Sequence, residues 1–243
     1  MNPYIRMLQA NKGRGNGIRA EANTLWLYDV IVSDEDESSW FGGVSPQAFI
    51  AALKATSGPV TLRINSPGGS VFGAQAMVAA MREHGEPITA RVDSLAASAA
   101  SVIASEAAAL EMAPGSMLMI HRASGLAIGN AEDMLGMAAL LEKIDGQIAA
   151  TYARRAGGEA SDFLELMAAE TWFTAEEAVG SKLADRLVNE NKQRPAAHWD
   201  LSAYAKAPAM PKPSLPEPSP TPANDTRDQL KRRLAVRLAA SLI

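Results

Sequence analysis

Four short runs rich in aliphatic and β-branched residues recur through the first half of the chain: TLWLYDVIV (24–32), VTLRI (60–64), ITARV (88–92) and MLMI (117–120). The stretches between the first three read as helix, and a strand returning roughly every 30 residues is the spacing that βαβ units produce. Parallel neighbours need a crossover of about a dozen residues or more, usually a helix, so this rhythm commits the chain to an α/β architecture.

The helical stretches carry their own punctuation. In SPQAFIAALKA, Ser45 is placed as an N-cap, Pro46 takes the first helical position, and Phe49, Ala52 and Leu53 share one face. A second helix is predicted from Val71 to Arg82, ended by HGEP. After position 121 the rhythm changes to one long helix from Asn130 to about Arg155, with Met134, Met137, Leu141, Ile144 and Ile148 at steps of three or four and Gly157 and Gly158 behind it. A shorter helix over 160–169 comes next, then Thr174 caps one more helical turn before the chain returns to the domain near Asp185.

These signs divide the chain into a flexible N-terminal segment (1–22), a main domain (23–191), a linker (192–224) and a terminal helix (225–243). Seven of the fourteen prolines fall between 208 and 222, a composition that favours extended polyproline II over packing. Beyond them TRDQLKRRLAVRLAASLI opens on a capping box, Thr226 with Gln229, and aligns Leu230, Leu234, Leu238 and Leu242 on one face.

Composition removes several classes of chemistry. The absence of cysteine excludes thiol nucleophiles, disulfides and cysteine-based metal sites. A net charge of -4 offers no global attraction to nucleic acid, and no run approaches the 18 apolar residues of a membrane span. With no signal-peptide pattern at the N-terminus, the expectation is a soluble, cytoplasmic protein using serine, histidine and carboxylate chemistry. An apolar fraction of 47%, with only 5% of residues aromatic, implies an aliphatic core.

Three local features bear on function, each with an ordinary alternative. In RINSPGGSV (63–71) a strand runs into Pro-Gly-Gly and a helix begins directly after it; the paired glycines suit converging backbone N–H groups that hold an oxyanion, or simply a tight turn. In DSLAASAASVIAS (93–105) a helix is read from Ala96 or Ala97, so that Ser98 is exposed at a sheet end, although Ser98, Ser101 and Ser105 also suit close helix packing. Among the three histidines, His84 sits in a turn and His198 beside the linker, whereas His121 ends an apolar strand within reach of Ser98, as a base or as a structural residue.

Turn, serine and histidine occur in the order a serine hydrolase requires, and at this point a family resemblance emerges. INSPGGSV, LAASAAS and MAPGSMLMIH resemble the proteolytic subunit of the Clp protease, a serine peptidase of the crotonase-like α/β fold with repeated βαβ units and a protruding long helix. The resemblance spans about Leu25 to Val188, with WFTAEEAVGSKLAD (172–185) as its closing part. It implies Ser98 as nucleophile, His121 as general base, and the backbone N–H groups of Gly68, Gly69 and Ala99 as oxyanion donors. Ser94 stands where the family has glycine, and the segment from serine to histidine is two residues shorter.

The third member of the triad departs from the pattern. Counting back from TAEEAVGSKLAD, the family's aspartate position holds Leu166, followed by Met167. Glu170 is the nearest acid and the preferred candidate, with Asp162, Glu165 or a dyad assisted by a backbone carbonyl as alternatives. Lys143 lies on the long helix and does not suit a Ser–Lys mechanism.

The wording of ETWFTAEEA, WFGGVSPQAF and SDEDESSWF is most similar to members encoded in prophages and phage head modules. That similarity implies cleavage of scaffold or capsid proteins, self-association into heptameric or double rings through the long helix, and a tail that docks or is removed by the enzyme itself. The family resemblance also implies an unfoldase as a candidate partner. No metal, organic cofactor, nucleic acid or membrane is implied. Two other readings stand beside the peptidase: an inactive assembly module, which the missing aspartate permits, and an acyl-CoA hydratase or isomerase of the same fold.

Overall fold

The computed structural model describes residues 2–188 and 199–208, which belong to one compact unit. In chain order its elements are α1 (Pro3–Asn11), β1 (Gly17–Glu21), β2 (Thr24–Tyr28), α2 (Glu35–Phe41), α3 (Pro46–Lys54), β3 (Val60–Ser66), α4 (Val71–Glu83) and β4 (Ile88–Ala97). The chain continues through α5 (Ala99–Ser105), β5 (Ala109–Met112), β6 (Met117–Ile120), α6 (Ala131–Ala156), α7 (Ala160–Ala168), β7 (Thr171–Thr174), α8 (Ala175–Gly180) and β8 (Arg186–Leu187). The alternation of strand and helix read from the sequence is the backbone of this order.

The strands form one sheet in the order β1-β2-β3-β4-β5-β8, antiparallel at β1–β2 and parallel from β2 onward. The long strand β4 has two sets of neighbours. Its first part, Thr89–Val92, pairs with β5, while Leu95–Ala97 pair with Met117–Met119 of β6, which in turn pairs antiparallel with β7. Strand propensity alone ends this strand at Val92 and starts the helix near Ala96; pairing with β6 carries it to Ala97 and delays the helix to Ala99. That extension places Ser98 at the join.

The caps behave as their chemistry requires. Ser45 accepts from the Ala48 N–H with Pro46 at the first helical position, Asn130 and Thr174 each form reciprocal capping boxes, and Gly157 closes α6 in the left-handed conformation. The core is aliphatic, filled by Leu25, Leu27, Leu62, Ile64, Val92, Leu110 and Ile103, with Tyr152 and Phe49 its largest fully buried side chains. Helix α6 packs through Ile144, Ile148 and Tyr152, but its first half projects, leaving Met134, Leu135 and Leu140 exposed. Among the described residues no helix is long and apolar enough to cross a membrane.

Three boundaries differ from the sequence reading. Residues 1–22, expected as a flexible segment, contain α1, which buries Met7 and Leu8, and β1, which pairs along β2. The run 24–32 ends as a strand at Tyr28, and Ile31 continues as isolated bridges to Val44 and Gly69. The main domain, expected to end at 191, takes in residues 199–208: Trp199 and Leu201 are buried, and Asp200 and Asn11 exchange hydrogen bonds of 2.7 and 3.0 Å. The proline-rich run and the terminal helix 225–243 lie outside the described residues, as does His198.

One buried charge cluster ties the middle strands. Asp93 on β4 has no exposed side-chain surface and takes a two-pronged hydrogen bond from Arg63 on β3 (2.7 and 2.8 Å) and the Tyr28 hydroxyl from β2. Breaking such a pair leaves a charge without a partner at a cost of about 3–5 kcal/mol. Asp93→Ala is therefore expected to lower the melting temperature by about 6–20 °C, given about 2–4 °C per kcal/mol for a domain of this size. Unchanged melting in a calorimetric scan would show that the cluster does not hold the strands together.

Candidate active site

Ser98 stands between the last residue of β4 and the first of α5 with φ 54 and ψ -123, a conformation that L-residues rarely adopt. A serine at an N-cap ordinarily folds its hydroxyl back onto the N–H groups of its own helix. Ser98 makes no such bond. Its Oγ lies 2.7 Å from Nε2 of His121, at the end of β6, so the pairing of β4 with β6 brings the two side chains together. The turn is braced from beneath: the Ser101 hydroxyl donates to the Ser98 carbonyl at 2.6 Å and meets the Tyr152 hydroxyl at 2.8 Å. Of the three regularly spaced serines, one faces the histidine, one braces the turn, and Ser105 is simply buried.

The Pro-Gly-Gly turn lies against this join. A Cβ on Gly68 would fall 2.4 Å from the Ala97 carbonyl oxygen and 2.8 Å from Ser98 Cβ, and one on Gly69 would fall 1.9 Å from the Ile31 carbonyl oxygen. Their φ angles, 94 and 145, add a second reason for glycine. The three named donors differ in their engagement. The Gly68 N–H donates to Ser66 Oγ at 3.1 Å, while those of Gly69 and Ala99 have no hydrogen-bond partner among the described residues. For Ala99 this reflects its place in the first turn of α5, where N–H groups are left over.

His121 is half-buried, and desolvation lowers its pKa from the ordinary 6.5, the nearby charge of Glu170 partly opposing that shift. The two residues after it pin the backbone: the Arg122 N–H donates to the Met167 carbonyl at 3.2 Å, and the Ala123 N–H donates to Asp145 Oδ1 at 2.7 Å. Asp145, on α6, was not anticipated from the sequence, because its spacing from His121 carries no local pattern.

Glu170, expected to orient the imidazole, makes no hydrogen bond to it. Its carboxylate accepts instead from the N–H groups of Ala205 (2.9 Å) and Lys206 (2.6 Å) and from the Trp172 indole (3.2 Å). Leu166 packs against the core, with its carbonyl accepting from the Thr171 hydroxyl at 2.7 Å. Among the described residues the one hydrogen bond to the imidazole is that of Ser98, so neither Glu170 nor a backbone carbonyl takes the third position. His84 is remote from this site, with Nε2 3.2 Å from the Gly58 carbonyl.

A cleft of about 520 Å³ opens onto the pair, walled by Gly69, Phe72, Leu141 and Ile144 and, from the far end of the domain, Glu170 and Tyr204. Pro3, Tyr4 and Leu126 line it as well. The family model for Clp protease matches residues 28–191. The chain belongs to the Clp protease family. Its α/β sheet with a projecting α6 is accordingly the crotonase-like fold of that family, and membership makes the chain a peptidase. Within the Clp protease match lie Ser98, His121, both glycines and Glu170, whereas Tyr204 lies beyond it.

The backbone at Ser98 yields a stability test independent of activity. A positive φ costs a residue with a side chain about 1–3 kcal/mol, and glycine is largely relieved of that cost. Ser98→Gly and Ser98→Ala both lose the bond to His121, so their difference isolates the strain. Less the roughly 0.5–1 kcal/mol that glycine's greater unfolded-state freedom costs, Ser98→Gly is expected to melt up to about 10 °C above Ser98→Ala. Melting of Ser98→Gly below Ser98→Ala would mean that the join is unstrained.

Proposed function

We propose that this Clp-family peptidase is a serine endopeptidase with Ser98 as nucleophile and His121 as its general base. The observation that carries the reading is the 2.7 Å contact between Ser98 Oγ and His121 Nε2 across a join that denies serine its usual capping role. In the first step Nε2 takes the hydroxyl proton as Oγ attacks the scissile carbonyl carbon. The resulting oxyanion is held by the N–H groups of Ala99 and Gly69, unpaired among the described residues, the Gly68 N–H being engaged by Ser66. The imidazolium then gives its proton to the leaving amine, and the C–N bond breaks to leave an ester on Ser98. Water, deprotonated by His121, attacks that ester; the acid product departs and Ser98 recovers its proton.

An apolar cleft beside a small polar centre suits an extended polypeptide with an apolar side chain next to the cut bond. The phage-like wording of the sequence favours scaffold or capsid proteins as its substrates. Labelling with a fluorophosphonate probe tests the mechanism: one probe per chain is expected in the wild type, none in Ser98→Ala, and a rate at least a thousandfold lower in His121→Ala. Unchanged labelling in Ser98→Ala would overturn the assignment.

The direction of the His121 shift sets the pH profile. The base acts when neutral, and a lowered pKa keeps it neutral further into acid. The acid limb of the labelling rate should therefore have its midpoint below the ordinary value of about 6.5. A midpoint above that value, in wild type, would show an imidazole that is solvated or ion-paired.

We also infer assembly into rings through the first half of α6, where Leu135 is 71% exposed and Met134 and Leu140 are each more than 40% exposed. Single exposed apolar residues are ordinary, but a cluster on one projecting helix suits a protein contact. Sedimentation is expected to give several times the 25.7 kDa of one chain, and Leu135→Glu to shift the protein to smaller species. A wild-type monomer would sink the ring.

A further inference from the structure

Residues 199–206 return from beyond the family match and cross the site as a strap. Its contacts converge on the two parts that the mechanism needs held still. The Trp199 indole N–H donates at 2.8 Å to Oδ1 of Asn65, a fully buried residue at the start of the Asn-Ser-Pro-Gly-Gly turn. The Tyr204 hydroxyl donates to the Pro67 carbonyl in the same turn. The Tyr204 ring meets the His121 imidazole edge-on, with centroids 5.3 Å apart and planes at 89°, and is itself backed by Trp172 at 5.9 Å. Glu170 anchors the strap through the two successive N–H groups of Ala205 and Lys206, and the Lys206 ammonium reaches the Ala169 carbonyl.

The Pro67 carbonyl and the Gly68 N–H are two ends of one rigid peptide plane. A hydrogen bond from Tyr204 at one end and one to Ser66 Oγ at the other set its rotation. The next plane is set by the Ile31 N–H, which donates to the Gly68 carbonyl at 2.8 Å, and its other end is the unpaired N–H of Gly69 on the cleft wall. The strap leaves the cleft open: Ser98, His121 and Gly69 all line it with the strap in place. It is a wall and a support, not a plug.

We propose that Tyr204 is a positioning residue for the reaction, holding the imidazole in line with Ser98 and the glycine turn in its oxyanion-binding shape, in place of a triad acid. Burial raises its pKa far above the working range, and its hydrogen bond with Ser98 only partly opposes that shift, so the phenol stays protonated and able to donate. On this reading Glu170 also serves the site indirectly, as the clamp of the strap.

The proposal rests on Ser98 being the nucleophile, and full-length variants assayed with the same probe separate the two ideas. Tyr204→Phe keeps the ring and loses the hydroxyl's bonds to Pro67 and Ser98; Tyr204→Leu loses the ring as well. The maximal labelling rate should fall about tenfold in the first, the worth of the hydroxyl's hydrogen bonds, and about a hundredfold in the second, as expected for a misplaced catalytic group. The concentration for half-maximal rate should stay within about twofold, and Tyr204→Phe should melt within a few degrees of wild type. Labelling of either variant at or above the wild-type rate would overturn the proposal and make the strap a cover. A fall seen in half-saturation alone would reduce Tyr204 to a binding wall, and a fall that tracks melting in both variants would reduce it to a structural residue. A wild type that does not label would remove the serine mechanism, and this inference with it.

Discussion

The site depends on a close approach of two pieces of backbone, the glycine turn after β3 and the join between β4 and α5. Gly68 sits where any β-carbon would overlap the carbonyl of Ala97 and the Cβ of Ser98. Because the chains pass this closely, the glycine turn lies directly against the join that carries Ser98 and Ala99. The same approach holds Ser98 at positive φ, in the way that packed surroundings sustain strain of about 1–3 kcal/mol. The parallel pairing of β3 with β4, and the Asp93–Arg63 cluster within it, supply the rigidity that makes such an approach sustainable.

Strand β4 does the second piece of positioning. By exchanging β5 for β6 as its partner at Leu95, it lets the sheet divide, and the division sets the end of β6 beside the end of β4. His121 and Ser98 are thereby adjacent through backbone pairing, not through a flexible loop. Helices α6 and α7 then fix the residues after the histidine by a carboxylate and a carbonyl, Asp145 to Ala123 and Met167 to Arg122. Among the described residues no acceptor meets the second nitrogen of the imidazole. The ring packs edge-on against Tyr204 and is kept neutral by desolvation, with Glu170 close enough to act by charge but committed to other partners.

Much of this was legible in the chain. Ser45, Asn130, Thr174 and Gly157 announced their helix ends through capping chemistry that acts within four residues, and NSPGG announced a turn that only glycine satisfies. The family resemblance brought Ser98 and His121 together on the strength of motifs 23 residues apart, and the structure places them within hydrogen-bond distance. The role of Glu170 was not legible, because which acid faces an imidazole depends on the register of a helix end and on a segment 35 residues later that takes up its oxygens. Tyr204 was invisible for a related reason: a lone tyrosine among SAYAKAP carries no periodic or capping pattern, and proline-rich surroundings read as linker.

The sequence by itself determined the alternation of strand and helix, the caps, the aliphatic core and the glycine turn, because each of these rests on interactions between residues near one another in the chain or on the bare size of a side chain. The tertiary structure decided the point at which β4 gives up its strand for α5, the partners of Glu170, the brace from Asp145 and the return of residues 199–206 across the site. Those depend on pairing registers and on hydrogen bonds between groups as many as 189 residues apart, and local pattern holds no information about which distant group will be there to accept them.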